Sequence, residues 1–307
     1  MSALSAGAPA PAGAAGASAA RAGRLPGWWP LAALTLIAAG LRFATLDLQS
    51  FWYDEAFTPV HVLHASLSGT LHAVVHTENT PPLWYLLAWA DSRVLGTGEV
   101  ALRWPCALAG TLTVPVAWAI GRELTGRRAS AIATAALVTF NPLLVWYSQE
   151  ARAYGLFVLA AALAMLCFLR ALARPTRGRM ALFVLAGALA LLSHYFAVFL
   201  LVPMGLWLAW DRASRRAALP ALGALALVGL ALVPLIAAQG GHGTQWIGRW
   251  ALASRLQAAP RYYLTGYSGA PLGHGVEGLV ALAILAGVLH GLWRVLEPAE
   301  ERGALIA

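Results

Sequence analysis

From Met180 to Trp210 the chain runs 31 residues without a charged side chain. As one helix at about 1.5 Å per residue, the run would be roughly 46 Å long, against a bilayer hydrocarbon layer of about 30 Å. It is too long for a single span and reads as two short helices meeting near Ser193, His194 and Tyr195. Comparable apolar runs fill 28–46, 105–121, 129–147, 154–173, 217–237 and 278–296. Charged residues make up only 11% of the chain, where a soluble domain carries about 25%. Mean hydropathy is +0.67. The pattern predicts an all-α polytopic membrane protein with about eight transmembrane helices and excludes soluble, secreted and fibrous classes. Residues 1–27, almost all Ala, Gly, Pro and Ser, cannot bury a core and read as a disordered cytoplasmic tail. The membrane domain is expected over 28–296, with a second cytoplasmic tail over 297–307.

Charge placement orients the spans. All 21 basic residues are Arg. With eight spans and a cytoplasmic start, fourteen of the 21 fall inside, concentrated in 21–24, 122–128, 170–179 and 212–216. Reading 180–210 as one span would move Arg212, Arg215 and Arg216 outside, so charge favours the split. The net charge of +8 is thus mostly an orientation signal, and no nucleic-acid partner is inferred from it. Cys106 and Cys167 lie in apolar runs and suggest neither a disulfide framework nor a metal cluster. The outer face receives a long first loop, 47–104, a short turn, 148–153, and a loop over 238–277. Within the first loop, 83–95 is apolar but short and fits an interfacial helix. If 60–76 is one helix, His61, His64, His72 and His76 share an arc of about 120° beside a leucine stripe.

The scarce carboxylates carry the chemistry. Asp54 and Glu55 follow the first span inside Ser50-Phe-Trp-Tyr-Asp-Glu-Ala-Phe57. Adjacent carboxylates among interfacial aromatics face desolvation and mutual repulsion, conditions that suit a general base, although solvated loop acids would look the same. Glu150, in Ser148-Gln-Glu-Ala-Arg-Ala-Tyr154, belongs to the same face. Arg152 could hold an anionic head group, because a guanidinium matches phosphate oxygens in pairs, or it could simply pair with Glu150. His194 falls at the outer tip of the paired short helices, as a phosphate contact or as a hydrogen-bonded core histidine.

These segments, taken in order, resemble a known family. WYDEAF after the first span, TPPLWYLL about thirty residues on, GEVALRWPCALAGTLTVP entering the second span and YSQEARAY heading the fourth are similar to motifs of the GT-C superfamily of lipid-phosphate-dependent glycosyltransferases. The relatives are of the protein O-mannosyltransferase (glycosyltransferase family 39) and aminoarabinose transferase type. The likeness covers about Leu41 to Leu172, with SHYF at 193–196 as a weaker match. It implies a catalytic base at Asp54 with Glu55 beside it, and a second acid at Glu150. Lipid-phosphate and donor contacts are implied at Arg152, Tyr154 and His194, with the Pro81–Pro82 pair shaping that loop. Relatives often carry His or Lys just before the double Pro, where this chain has Thr80. His76 could replace that contact only if the loop folds back. The chain is also short for the family, which implies reduced acceptor recognition or a partner that supplies it.

The resemblance implies transfer of a sugar from a polyprenyl-phosphate donor to a hydroxyl or amine of a glycan, lipid or protein acceptor, with inversion, at the extracytoplasmic face of the cell membrane. No cofactor is required; one carboxylate near the phosphate allows a divalent cation such as Mg or Mn without demanding it. The rivals are a transporter or lipid flippase using the same groups, and an inactive accessory subunit. Transporters place ionisable residues near the midplane and often show repeats. Here Arg42 and His290 are the main ionisable residues inside expected spans, and no repeat is evident.

Overall fold

In the computed structural model, residues 27–242 and 247–265 are described. Among them every regular element is a helix. The tail over 1–26, the eighth expected span at 278–296 and the end of the chain lie outside the described residues.

Helix α1 (Trp29–Phe43) opens with Pro30 in its first turn, where the missing N–H costs nothing. Its 15 residues make it shorter than the 28–46 run suggested, because the chain leaves the helix at Ala44 and turns. The first outer loop is then built from short pieces. They are α2 (Tyr53–Phe57), a single π turn over Thr58–Val62, α3 (Leu67–Thr77) and α4 (Leu83–Leu95). The single helix expected over 60–76 does not form. The break comes at Ser66, whose hydroxyl accepts from the Gly69 N–H at 3.1 Å and starts α3 afresh. His61 and His64 therefore leave the face shared by His72 and His76, whose rings lie tilted to one another with centroids 4.3 Å apart. Helix α4 forms as the short segment anticipated, with Trp84, Tyr85 and Ala88 buried and Leu87, Val94 and Leu95 exposed.

The bundle proper follows. Helix α5 (Glu99–Thr125) runs 27 residues and stops at Gly126, whose φ of 69° needs a residue without Cβ. Helices α6 (Arg128–Phe140) and α7 (Pro142–Ser148) occupy one apolar run but bend by 57° at their junction. Pro142 has no N–H to offer the Val138 carbonyl. Arg42 of α1 takes it over, donating to Val138 O at 3.0 Å and Thr139 O at 3.4 Å. An arginine inside an apolar run is thereby explained: it satisfies backbone acceptors exposed by a helix break. Gly110 of α5 keeps this junction tight, since a Cβ there would stand 2.4 Å from Ser148 Cβ and 2.9 Å from Arg42 Nε.

Helices α8 (Tyr154–Ala173), α9 (Arg177–Ser193), α10 (Ala197–Trp210) and α11 (Arg215–Gln239) share the largest apolar core, around Ala164, Phe168, Phe183, Leu201 and Leu208. The 31-residue run does split, at His194–Phe196. Helix α12 (Leu252–Thr265) lies in the segment expected as a loop and is tied to the α6–α7 junction by Asn141 Nδ2 donating to Tyr263 O at 2.9 Å. Among the described residues three helices, α5, α8 and α11, are long and apolar enough to cross a membrane, four if α6 and α7 make one bent span. Helices α1 and α10 are apolar but shorter.

Candidate active site

The end of α1, the start of α5, the end of α7, the head of α8, the α9–α10 tip and the end of α11 meet at one end of the bundle. The side chains that join them define the site.

Arg103, one turn into α5, fixes the loop that carries Asp54 and Glu55. Its guanidinium contacts Glu55 Oε1 at 2.8 Å and Oε2 at 2.6 Å, and donates to the carbonyls of Leu46, Gln49 and Ser50 at 2.8, 2.7 and 3.3 Å. Glu55 Oε1 also accepts from the Ala151 N–H at 2.7 Å, joining this loop to the head of α8. Glu55 is buried and both its oxygens are occupied. It is a positioning residue by geometry, whereas the neighbouring Asp54 is exposed.

Glu150 lies on the other side of this link. It is buried, its Oε1 accepts from Trp146 Nε1 at 2.5 Å, and its Oε2 has no protein partner. Burial pushes its carboxyl up to about 7, with the Trp146 hydrogen bond opposing and the Glu55 charge adding to the rise. Arg152, two residues on, does not pair with Glu150. Its Nη1 lies 3.5 Å from Glu78 Oε2 and 3.3 Å from the Asp54 carbonyl oxygen. Gly155 lets the head of α8 pack closely on α5, because a Cβ there would come within 2.9 Å of the Cys106 carbonyl oxygen. Cys106 Sγ in turn donates to Arg152 O at 3.0 Å.

The Tyr154 ring stands 4.7 Å from Tyr147 and 6.0 Å from His194. His194 Nδ1 accepts from the Phe196 N–H at 3.2 Å, which leaves Nε2 to carry the proton of the neutral ring. Burial, and then the charge of Arg152, lower its proton affinity and favour that neutral form. Pro81 is buried and Pro82 caps α4, so the pair turns the chain and offers no polar contact. Thr80 Oγ1 bonds Tyr85 OH at 3.0 Å, and His76 stays on α3 against His72. The residue of this loop that reaches Arg152 is Glu78.

The structure thus gathers Asp54, Glu55, Glu150, Arg152, Tyr154 and His194. Sequence reasoning did not single out Arg103, Glu78 or Gln239. Gln239, at the end of α11, donates to Val74 O and Thr80 O at 2.9 and 3.1 Å and accepts from Tyr195 OH at 2.6 Å. Arg103 stood in view within GEVALRWP, as a charge one turn into a long apolar helix. Among the described residues no three His, Cys, Asp or Glu side chains gather as ligands for one cation.

A family model described as dolichyl-phosphate-mannose-protein mannosyltransferase matches residues 79–237. The chain belongs to that family. The matched segment takes in Arg103, Glu150, Arg152 and His194 and leaves Asp54, Glu55 and Glu78 before its start. The Archaeoglobus fulgidus oligosaccharyltransferase shares the fold in two structures. Its complex with Zn and sulfate aligns with a TM-score of 0.50 and 19% identity over 87% of this chain and 40% of that one. Its form tethered to an acceptor peptide containing the NVT sequon aligns with a TM-score of 0.51 and 17% identity over 88% and 38%. The chain therefore spans about two-fifths of the length of that protein. No curated protein matches the chain. Family and fold place it in the GT-C superfamily, and its apolar helices within that family make it a membrane protein.

Proposed function

We propose that the chain is a multi-pass membrane glycosyltransferase that moves a sugar from a polyprenyl-phosphate donor to an acceptor hydroxyl or amine, with inversion, at the extracytoplasmic face. The observation that carries this reading is the convergence of Asp54, Glu150 and Arg152 at one end of an apolar bundle, with Arg152 held by Glu78 and by the Asp54 backbone. A polyprenyl donor keeps its tail in lipid and its phosphate at the interface, so the groups that act on it belong at helix ends.

In this reading Arg152, Tyr154 and the Nε2–H of His194 bind the donor phosphate. The acceptor oxygen or nitrogen attacks the anomeric carbon from the face opposite the phosphate. The new bond forms as the bond from the anomeric carbon to the phosphate oxygen breaks, and polyprenyl phosphate leaves with the bonding pair. Asp54 takes the acceptor's proton, and Glu150 hydrogen-bonds the incoming group. General-base help contributes about 10²–10⁴-fold and donors aimed at the leaving phosphate add to it. No step of this reading passes through a metal. Glycan, lipid and protein acceptors all fit this chemistry.

Membranes carrying Asp54→Asn or Glu150→Gln, given a labelled polyprenyl-phosphate sugar, test the assignment. Each variant should lose about 10²-fold or more in transfer. Turnover near wild type in both would remove these residues from the mechanism.

A further inference from the structure

The end of the bundle that carries the site also holds a cavity of about 560 Å³, with Trp52, Glu55, Arg103 and Glu150 in its wall. The opposite end holds the charge. There α5 gives way to α6, α8 to α9, and α10 to α11. Around these three turns, residues 122–128, 170–179 and 211–216 carry ten arginines against two acids, Glu123 and Asp211. The balance of +8 equals the formal charge of the whole chain.

Little of this charge is neutralised within the protein. Arg170 pairs with Glu123 at 2.8 Å, and Arg179 donates to the Arg170 carbonyl at 2.6 Å, which ties α5, α8 and α9 together. Asp211 is occupied in accepting the Ser214 N–H at 2.8 Å. The other eight arginines, three at the first turn, two at the second and three at the third, are exposed and have no side-chain partner among the described residues. Orientation during insertion accounts for the side on which they lie. It does not account for a folded array of unpaired like charges, whose mutual repulsion calls for an external anion.

Two observations give the kind of anion. Exposed tryptophans border the array, Trp28 and Trp29 at the head of α1 and Trp207 and Trp210 in the last turn of α10. Indoles at the ends of apolar helices sit at head-group depth, so the arginines beside them meet lipid head groups before any soluble polyanion. Arg128 makes the closest such approach. A Cβ on Gly27 would stand 3.9 Å from Arg128 Nη1, which sets this guanidinium at the head of α1, directly before Trp28 and Trp29. A phosphate there would meet the guanidinium forks of the α5–α6 turn, with indoles for its glycerol and upper acyl chain.

We propose that this end of the protein is a docking surface for anionic phospholipid, with one lipid phosphate seated between Arg127, Arg128 and the head of α1. Basic pockets between membrane helices hold anionic head groups in this way. The surface is separate from the transfer site, and Arg152 takes no part in it.

Native mass spectrometry of the purified full chain in micelles, titrated with phosphatidylglycerol or phosphatidylcholine of the same acyl chains, tests the surface. Phosphatidylglycerol should bind the wild type about tenfold more tightly or better, and the preference should shrink as salt is added. The double variant Arg127→Gln, Arg128→Gln should lose most of that preference. Arg127→Lys with Arg128→Lys should keep part of it, since the charge stays and the forks go. Arg93→Gln, an exposed arginine of the first outer loop, and Arg152→Ala should both leave it unchanged. The thermal unfolding midpoint of the wild type should be higher in nanodiscs of equal parts phosphatidylcholine and phosphatidylglycerol than in phosphatidylcholine alone. Equal binding of the two lipids, or a preference untouched in the double Gln variant, would overturn the proposal. Displacement of phosphatidylglycerol by a short RNA oligonucleotide would also overturn it, by showing that the array takes soluble polyanions instead.

Discussion

The Arg103–Glu55 pair is almost free of solvent, with side-chain exposures of 6% and 2%. Breaking a buried pair from one side leaves the other charge unpaired and costs about 3–5 kcal/mol. Arg103→Met should therefore lower the thermal unfolding midpoint and abolish transfer, because the loop that carries Asp54 loses its anchor. Arg103→Lys keeps the charge but cannot reproduce the fork that reaches Glu55 and three carbonyls at once, so it should recover stability only in part. Glu150 makes a different prediction, in pH. Its folded carboxyl is raised to about 7 from an ordinary 4.5, so between those values the folded chain holds a proton that the unfolded chain releases. The stability this proton supplies is present at low pH and is lost as pH rises through about 7. A series of unfolding midpoints should show that decline, and Glu150→Gln should flatten it. Transfer should move the opposite way, rising through about pH 7 as the carboxylate forms, with that limb missing in the Gln variant. Both residues were visible as rare charges in an apolar chain, but only contacts between distant segments tell them apart. Glu55 is consumed by Arg103 and Ala151, while Glu150 keeps a free oxygen.

At the scale of elements, apolar run length and charge placed the helix pair α9–α10, including the break beside His194. A 31-residue run cannot fit one hydrocarbon thickness, and that constraint is local. The α6–α7 bend was less legible, because Pro142 shows that a hydrogen bond is missing but does not say what replaces it. The replacement is Arg42, about a hundred residues earlier in the chain. Arg42→Met should leave the carbonyls of Val138 and Thr139 without that donor, and Gly110→Leu should force Ser148 and Arg42 apart. Each should destabilise the purified protein in a thermal unfolding assay, the second by about 1–3 kcal/mol through overpacking. The 60–76 segment failed as one helix because period alone does not see a capping serine that restarts the chain at Ser66.

At the scale of the whole molecule, the ends of several helices are drawn together by long-range polar links. Gln239 is the farthest-reaching, joining the end of α11 to Val74, Thr80 and Tyr195. Gln239→Leu keeps the volume and removes three hydrogen bonds, so it should lower donor affinity by loosening the Glu78–Pro82 loop and the His194 tip together. A rise in donor KM larger than the fall in kcat would identify it as a positioning residue. Unchanged values for both would show that the loop holds without it.

Apolar run lengths and the positions of the charges were enough to establish the membrane class, the helical fold, the two-helix reading of 180–210 and the identity of the charged residues worth following. These depend on apolar length and on the cost of placing charge in lipid, which are properties of the local chain. Which acid is an anchor and which keeps a free oxygen, which partner holds Arg152, and where a ligand-sized cavity opens emerge from the packed helices. Those depend on which helix ends pack together, and packing joins residues that no local period relates.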